Sequence, residues 1–491
     1  MARKLLLPLM AVIIIGAMVM PGCGGPVEPT PDEIELTCLV RTEDERKELG
    51  EYVATQLEDL GFKVNIQYGL SAELSPVWTG DPALGLWNTY TGGWVTTYVP
   101  RDEGDNYGFF FTDLGAPYMG PLWVAYGHDM AWFGAAEDLW NYNFSTMAAR
   151  ELLFEDVMWG SMEDAVRCFL IDRTSFSAFR KGLILAADAS GGIYGSWMWA
   201  LTLHWQDGSD LPDPANDTTV RIAMTDAMTN PWNPVAGTNW VYDMFPIRAT
   251  GDHGHGVDTN DGLRWPMMIE KADVYAADGL PIGIGYPDPP ENWINFSFET
   301  AAIEAPGDAW VGWNVTSQTP ITVAEMMAAE PTWRNVAQVL SRAYYPLGTF
   351  AVDIHDGSDL SFADFLYFDI IRHERGLDGS LIYDPAYLSA YEAFLSTYKG
   401  LRFITDDAGY DLIVEYWTTN WNLDAEYCVN HMFPTYSQGA GMWHTLALAI
   451  LGEDAGECAF GQAKAEDPIV WTNYIGEGKD ILATHMAAVI A

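Results

Sequence analysis

Val352-Asp353-Ile354-His355-Asp356-Gly357-Ser358-Asp359-Leu360-Ser361-Phe362-Ala363-Asp364-Phe365 is the stretch whose reading decides the fold. The apolar-rich run from Tyr344 to Ile354 reads as extended chain, and Asp356-Gly357 is a turn dipeptide. Ser361 stands three residues before Asp364 and just ahead of the apolar Phe365, Leu366, Phe368 and Ile370. That spacing predicts a capping box, in which a hydroxyl and a carboxylate satisfy the free amides that open a helix. The stretch is therefore strand, tight turn and capped helix, and it carries no reactive chemistry.

Working outward, Glu35 to Val40 reads as a strand. Leu49, Val53, Leu57 and Leu60 fall on one face of a helix over about 43–60. Gly61 stands where a C-cap glycine belongs, and Lys63 to Tyr68 reads as the next strand. Strand, helix, glycine and strand at this length make a βαβ unit, which predicts a parallel sheet. Further helices are expected at 147–158, 162–168, 361–372, 385–399 and 477–488. Phe169-Leu170-Ile171 reads as a short buried strand, Thr219 to Met224 as another, and 251–335 as a long irregular stretch. The polar run Gln206 to Asp217, with Pro212 and Pro214, reads as a linker.

The 352–365 stretch closely resembles the signature segment of the family 5 extracellular solute-binding proteins, the peptide, dipeptide and nickel receptors of ABC importers. Asp359 replaces that family's proline, and Ile354 its aromatic residue. Leu60-Gly61-Phe62-Lys63-Val64 and Tyr90-Thr91-Gly92-Gly93-Trp94 resemble segments of the family's C-terminal part. Trp232-Asn233-Pro234 and Val241-Tyr242-Asp243 resemble its early N-terminal segment. The resemblance implies an α/β, periplasmic-binding-protein-like (type II) two-lobed fold with mixed sheets in permuted order. A lobe resembling the C-terminal part would occupy 36–205, the linker 206–218, and a lobe resembling the N-terminal part 219–491. The family's Gly-Thr-Gly-Pro-Tyr motif is absent after the signature, so a fold lacking one portion is expected.

The same resemblance implies that Trp94 walls a ligand cleft with Thr97 and Tyr98 beside it. Trp232, Trp240 and Tyr242 would contribute from the other part. In peptide-binding members an aspartate three residues after this tryptophan holds the ligand's α-amine. Here that position is Thr97, which cannot supply a charge-assisted hydrogen bond, so Asp102 or another carboxylate would have to substitute. His355, Asp356 and Gly357 are assigned to structure.

Arg3 and Lys4 precede an apolar run from Leu5 to Met20 and then Pro21-Gly22-Cys23-Gly24-Gly25. This reads as an export signal at 1–22 rather than a membrane span, which needs ~20 apolar residues. Cys23 is the expected lipidation site and 23–35 a flexible tether; the alternative is an ordinary cleaved signal with a coincidental cysteine. The mature protein is thus expected to be exported and lipid-anchored to the outer face of the cytoplasmic membrane, periplasmic or extracellular. Cys38, Cys168, Cys428 and Cys458 show no metal-ligand spacing and read as isolated buried thiols.

Asp and Glu number 68 against 24 Lys and Arg, for a net charge of −44. That excludes nucleic acid as a partner, because a phosphate backbone needs positive charge opposite it. Asp252-His253-Gly254-His255-Gly256-Val257-Asp258 holds ligand types suited to zinc or nickel. The simpler reading is a solvated glycine-rich loop, so no metal or other cofactor is expected. Asp258 to Gly262 lacks the alternating ligands of a calcium loop. The aromatic clusters Gly195 to Trp199 and Tyr107 to Phe111 read as core rather than cleft. No nucleophile elbow, P-loop or His-Glu-x-x-His motif is present, and no carboxylate pair is singled out by spacing, so no enzyme is expected.

The function expected from these readings is substrate binding for an ABC importer. A peptide or similar small solute would be captured outside the membrane and delivered to permease subunits. The alternative is a secreted carbohydrate-active enzyme or glycan-binding module; a third possibility is an incomplete relic that binds nothing.

Overall fold

A computed structural model of the chain describes residues 34–490 apart from 95, 97, 116–118, 128–131, 173, 175, 196–197, 207–220, 224–231, 237–240, 288–291, 430–432, 437–438 and 462–463. It is mixed α/β, with several sheets, and it divides into two compact units at Gly92 and Gly93. No helix among the described residues is long and apolar enough to cross a membrane.

The first unit is the expected βαβ motif. Strand β1 (Glu35–Arg41), helix α1 (Arg46–Asp59) and strand β2 (Lys63–Gly69) are followed by helix α2 (Ser71–Trp78) and strand β3 (Thr89–Tyr90). The sheet order is β2-β1-β3 and both pairings are parallel. Gly61 takes φ +96°, the left-handed conformation that ends a helix without steric cost. Gly50 and Ala54 form the buried line of α1, with Leu49, Val53 and Leu57 half-buried beside them. A Cβ on Gly50 would lie 2.6 Å from Val40, so glycine lets the helix sit close on β1. Leu60, expected on that face, is 75% exposed, because the helix has already ended before it.

The second unit begins with helices α3 (Asp105–Phe111), α4 (Phe133–Trp140) and α5 (Met147–Asp164). Helix α6 (Val241–Arg248) leads to a hairpin of β4 (His255–Val257) and β5 (Arg264–Pro266), then to β6 (Lys271–Ala277), β7 (Ile294–Glu299), β8 (Trp310–Asn314), β9 (Thr319–Thr322) and β10 (Val339–Pro346). Helices α7 (Phe362–Gly376) and α8 (Leu388–Thr397) precede β11 (Tyr398–Ile404) and β12 (Tyr410–Thr418). A small hairpin, β13 (Thr435–Tyr436) and β14 (Gly439–Ala440), and helices α9 (Trp443–Asp454) and α10 (Gly478–Ile490) complete it.

Seven strands form one sheet in the order β9-β8-β11-β12-β10-β6-β7. All neighbours are antiparallel except β6 and β7, which are parallel. Strand β10 alternates buried and half-buried residues with period two, as a strand with one core face should. Val339, Ala343 and Tyr345 face the core with Leu412 and Val414 of β12 and Phe365 and Phe368 of α7. A separate cluster around Trp417, Val311 and Ile303 packs elsewhere on the unit.

On the other face of β12, Glu415 is fully buried and lies directly opposite Arg342 on one neighbouring strand and Arg402 on the other. Arg342 Nε donates to Glu415 Oε1 at 2.7 Å, and Arg402 Nε donates to Oε2 at 2.7 Å. One carboxylate therefore pins the register of three central strands.

The turn and the capped helix of the deciding stretch form as read, while Asp353 and Asp359 make an isolated bridge in place of the expected strand. Ile354 N donates to Ser358 O at 2.7 Å, Gly357 takes φ +85°, and the helix opens after Ser361. The Asp364 carboxylate accepts from Ser361 N at 2.8 Å and Ser361 Oγ at 2.9 Å. It also accepts from Trp443 N at 2.9 Å, so one buried side chain joins the starts of α7 and α9.

Several local expectations differ from the structure. One helix spans 147–164 where two were expected, because Ala165 ends it in the left-handed conformation only after Asp164. Phe169, Leu170 and Ile171 are exposed irregular chain with no strand partner, since an apolar run alone does not supply one. Residues 221–223, the described part of the strand expected at 219–224, are likewise exposed and irregular. The stretch 251–335 is not irregular: six labelled strands lie in it, most of them too short to show a period and held by pairing with distant strands. The helix expected at 385–399 is a 3-10 turn plus α8, and Tyr398 already belongs to β11, where its buried ring and strand pairing outweigh helix continuation. The extended run ends at Pro346 and is followed by a 3-10 turn at Thr349–Ala351. Cys38, Cys428 and Cys458 are buried free thiols, but Cys168 is exposed, since it follows the helix end at 164. The linker expected at 206–218 lies, apart from Gln206, outside the described residues, as does Cys23.

Replacing Glu415 by alanine leaves two partly buried guanidinium groups without their shared partner. Urea unfolding of Glu415→Ala is expected to show a loss of about 3 kcal/mol, the scale of breaking a buried ion pair by removing one side. A change under ~1 kcal/mol, typical of exposed pairs, would show that the triad does not hold the sheet.

Candidate functional site

A cavity of about 200 Å³ lies in the second unit where α6, the β4–β5 hairpin and the β13–β14 hairpin meet. Helix α6 contributes Met244, Ile247 and Arg248. His253 and His255 come from the segment leading into β4, Arg264 from β5, and Thr435, Tyr436 and Gly439 from the last hairpin.

The hairpin is built by its backbone. Asp258 N donates to Leu263 O at 2.7 Å and Gly262 N to Asp258 O at 3.1 Å. Gly262 takes φ +78°, and a Cβ there would lie 2.1 Å from Val99 O, so both the turn and the close approach require glycine. The Asp258 and Asp261 carboxylates accept the loop's own amides, and Tyr286 Oη donates to Asp261 Oδ1 at 2.9 Å. Past the turn, Met268 N donates to His253 O and Ile269 N to Gly254 O, which fixes the histidine-bearing segment against the start of β6.

His253 and His255 are thus buried, not in a solvated loop as expected, because both flanks of the segment are paired. His255 Nε2 lies 2.9 Å from Val429 O. His253 Nδ1 lies 3.4 Å from Thr435 Oγ1. No group of three or more metal-ligating side chains is assembled among the described residues. Burial pushes His253 down to about 4, helped by the positive fields of Arg248 and Arg264. The imidazole is therefore neutral at physiological pH, a hydrogen-bonding group rather than a charge.

The two arginines dominate the electrostatics. Arg248 donates from Nη1 to Tyr194 O, and burial pulls its pKa down. The Arg264 guanidinium lies 4.6 Å from the Tyr427 ring centroid, a cation–π contact. Neither forms an ion pair with a carboxylate among the described residues. Tyr98 feels both arginines, which oppose the upward push of partial burial on its hydroxyl, and it also feels Asp105. Asp105 is itself pushed up to about 6 by burial and by the nearby Asp102 and Glu103.

Of the residues expected at a ligand cleft, Tyr98 stands within the electrostatic reach of this cavity. Trp94 is 57% exposed and packs against Phe109 at 4.7 Å and Phe110 at 5.1 Å. Trp232 packs at 5.4 Å against Tyr474. Neither tryptophan lines the cavity. Tyr242 is in α6, but its side chain lies outside the described residues, as do Thr97 and Trp240 entirely. Asp356 of the signature accepts from Ser358 N at 2.9 Å and bonds His444 Nε2 at 2.7 Å.

No protein-family model, curated protein or solved structure matches this chain. The site is therefore read from its own chemistry.

Sequence reasoning missed Arg248 and Arg264. The signal was present: in a chain so poor in bases, Arg248, His253, His255 and Arg264 crowd into one short span.

The His253 shift fixes a pH dependence. Its folded value, about 4, is below its unfolded value of ~6.5, so its contribution is fully present above that pH and is lost as pH falls through 4. The full effect is on the order of 3 kcal/mol, at ~1.4 kcal/mol per pKa unit. Thermal melts between pH 7 and pH 4 are expected to fall less steeply for His253→Gln than for the unaltered chain. Parallel curves would show that the imidazole is not held neutral.

Proposed function

We propose that this chain is the solute-binding lipoprotein of an ABC importer, with a two-lobed, type II periplasmic-binding-protein-like architecture in permuted order. It captures a small solute outside the membrane and hands it to the permease. The observation that carries this reading is the cavity: an apolar wall from Met244, Ile247 and Tyr436 with convergent polar groups opposite, the usual make-up of a small-ligand site. Its size suits a solute of amino-acid or dipeptide scale better than a long peptide. The turn and capped helix at 354–376 support the same reading through the family resemblance. Hinge closure would couple capture to delivery, because ligand contacts favour one state and the permease reads that state. Trp94, Tyr98 and Trp232 would line the approach.

A second reading, a secreted carbohydrate-active enzyme or glycan-binding module, draws on Asp105. A carboxyl pushed up to about 6 is suited to proton donation near neutrality.

The test is thermal melting of the full chain in mild detergent against amino acids, dipeptides, longer peptides and oligosaccharides. A ligand that binds only the folded state at 100 times its Kd stabilises by ~2.7 kcal/mol, a readily measured upward shift. Shifts with small solutes, reduced in Trp94→Ala, are expected. Indifference to them together with sugar hydrolysis lost in Asp105→Asn would establish the enzyme instead.

A further inference from the structure

We infer that the cavity is a carboxylate site, and that the captured solute is a small organic anion held between Arg248 and Arg264. This deepens the receptor reading above and rests on it.

With almost three acids for every base, carboxylate partners are abundant, and several arginines use them. Arg101 pairs with Asp424 at 3.0 Å, Arg375 with Asp384 at 3.1 Å, Arg41 with Glu43 at 3.1 Å, and Arg150 with Asp102. Arg342 and Arg402 share Glu415. Arg334, on backbone carbonyls, and Arg372, over Phe368 and Phe394, also have no ion pair among the described residues, but Arg248 and Arg264 stand apart in lining one cavity together. Removing a cation from water is costly unless an opposite charge or hydrogen bonds replace the solvent. Among the described residues Arg248 bonds one backbone carbonyl and Arg264 lies over one aromatic face, and neither contact uses the whole guanidinium fork.

The neighbouring groups fit an anion and discriminate against a cation. His253 is kept neutral by burial beside the two arginines, so it offers a hydrogen bond without adding charge. The acid closest in sequence, Asp252, already accepts His253 N at 2.8 Å, and burial raises its pKa, which weakens it as an anchor for an ammonium group. A guanidinium fork matches the two coplanar oxygens of a carboxylate, whereas Met244 and Ile247 suit the hydrocarbon that carries it. The solute's carboxylate therefore points inward, and any amine it bears points out. The absence of the family's amine-binding aspartate at Thr97 is consistent with that polarity.

The experiment is titration calorimetry of the full chain in mild detergent with acetate, butyrate and succinate, each beside its neutral amide, and with inorganic phosphate. Carboxylates are expected to bind, the amides to bind at least tenfold more weakly, and Arg248→Gln and Arg264→Gln each to weaken carboxylate binding at least tenfold. If either variant fails to melt cooperatively, the acid–amide comparison on the unaltered chain still decides. Amides binding as well as their acids, or phosphate binding more tightly than any carboxylate, would overturn the inference. If a solute from the wider library binds equally well to both variants, the receptor reading survives and the carboxylate site does not. Should nothing in either panel bind, both fall together.

Discussion

Glu415 sets a constraint that propagates to the cavity. Its two oxygens fix β12 against β10 on one side and β11 on the other, and a one-residue slip of either neighbour would carry its arginine to the opposite face. Strand β10 then sets β6, with Arg342 opposite Asp273, and Glu270 N donates to Tyr344 O at the start of that pairing. The residues just before, Met267 to Ile269, bond back to His253 and Gly254. A single buried carboxylate thus determines, through consecutive backbone registers, where the histidines and Arg264 stand.

Charge is distributed unevenly for a reason that composition hides. A net charge of −44 describes the chain as a whole, yet the cavity wall is positive, because the acids are spent at the surface and on individual arginines. Long-range repulsion would slow the approach of a small anion to such a surface, while the cavity would hold it once inside. Rate and affinity are governed by different parts of the molecule. High salt screens the outer field, with a Debye length of ~8 Å at physiological ionic strength, and so speeds entry more than it weakens retention.

Much of the fold was legible wherever a local rule was sufficient. The βαβ motif, Gly61 as helix stop, the Asp356-Gly357 turn and the helix after Ser361 all depend on neighbours in sequence. What failed depended on distant partners. Phe169-Leu170-Ile171 has the composition of a strand and no strand beside it. Lys271 to Ala277 has plain alternation, but it became a central strand only through β10, far along the chain. The site was illegible for the same reason. Arg248, His253, Arg264 and Thr435 meet because β13 returns to the first hairpin, and nothing local announces that return. The loop around His253 was read as solvated because glycines suggest turns, whereas here the segment is held by backbone bonds from Met267, Met268 and Ile269.

The first unit and the large sheet also differ in how far apart along the chain their pairing partners lie. β1 and β2 are separated by one helix, so their pairing closes a short loop. β10 waits for β12, and Arg342 and Glu415 are 73 residues apart. Such contact order makes the first unit a fast local folder and the large sheet a slow one. At ~5–20 residues per second, tens of seconds separate synthesis of β2 from synthesis of β12. Between synthesis of β7 and synthesis of β10, β6 and β7 exist without the strand that joins them to the rest of the sheet, with apolar side chains open to other chains. An acidic excess of this size would oppose association of such a half-made sheet, because like-charged chains repel.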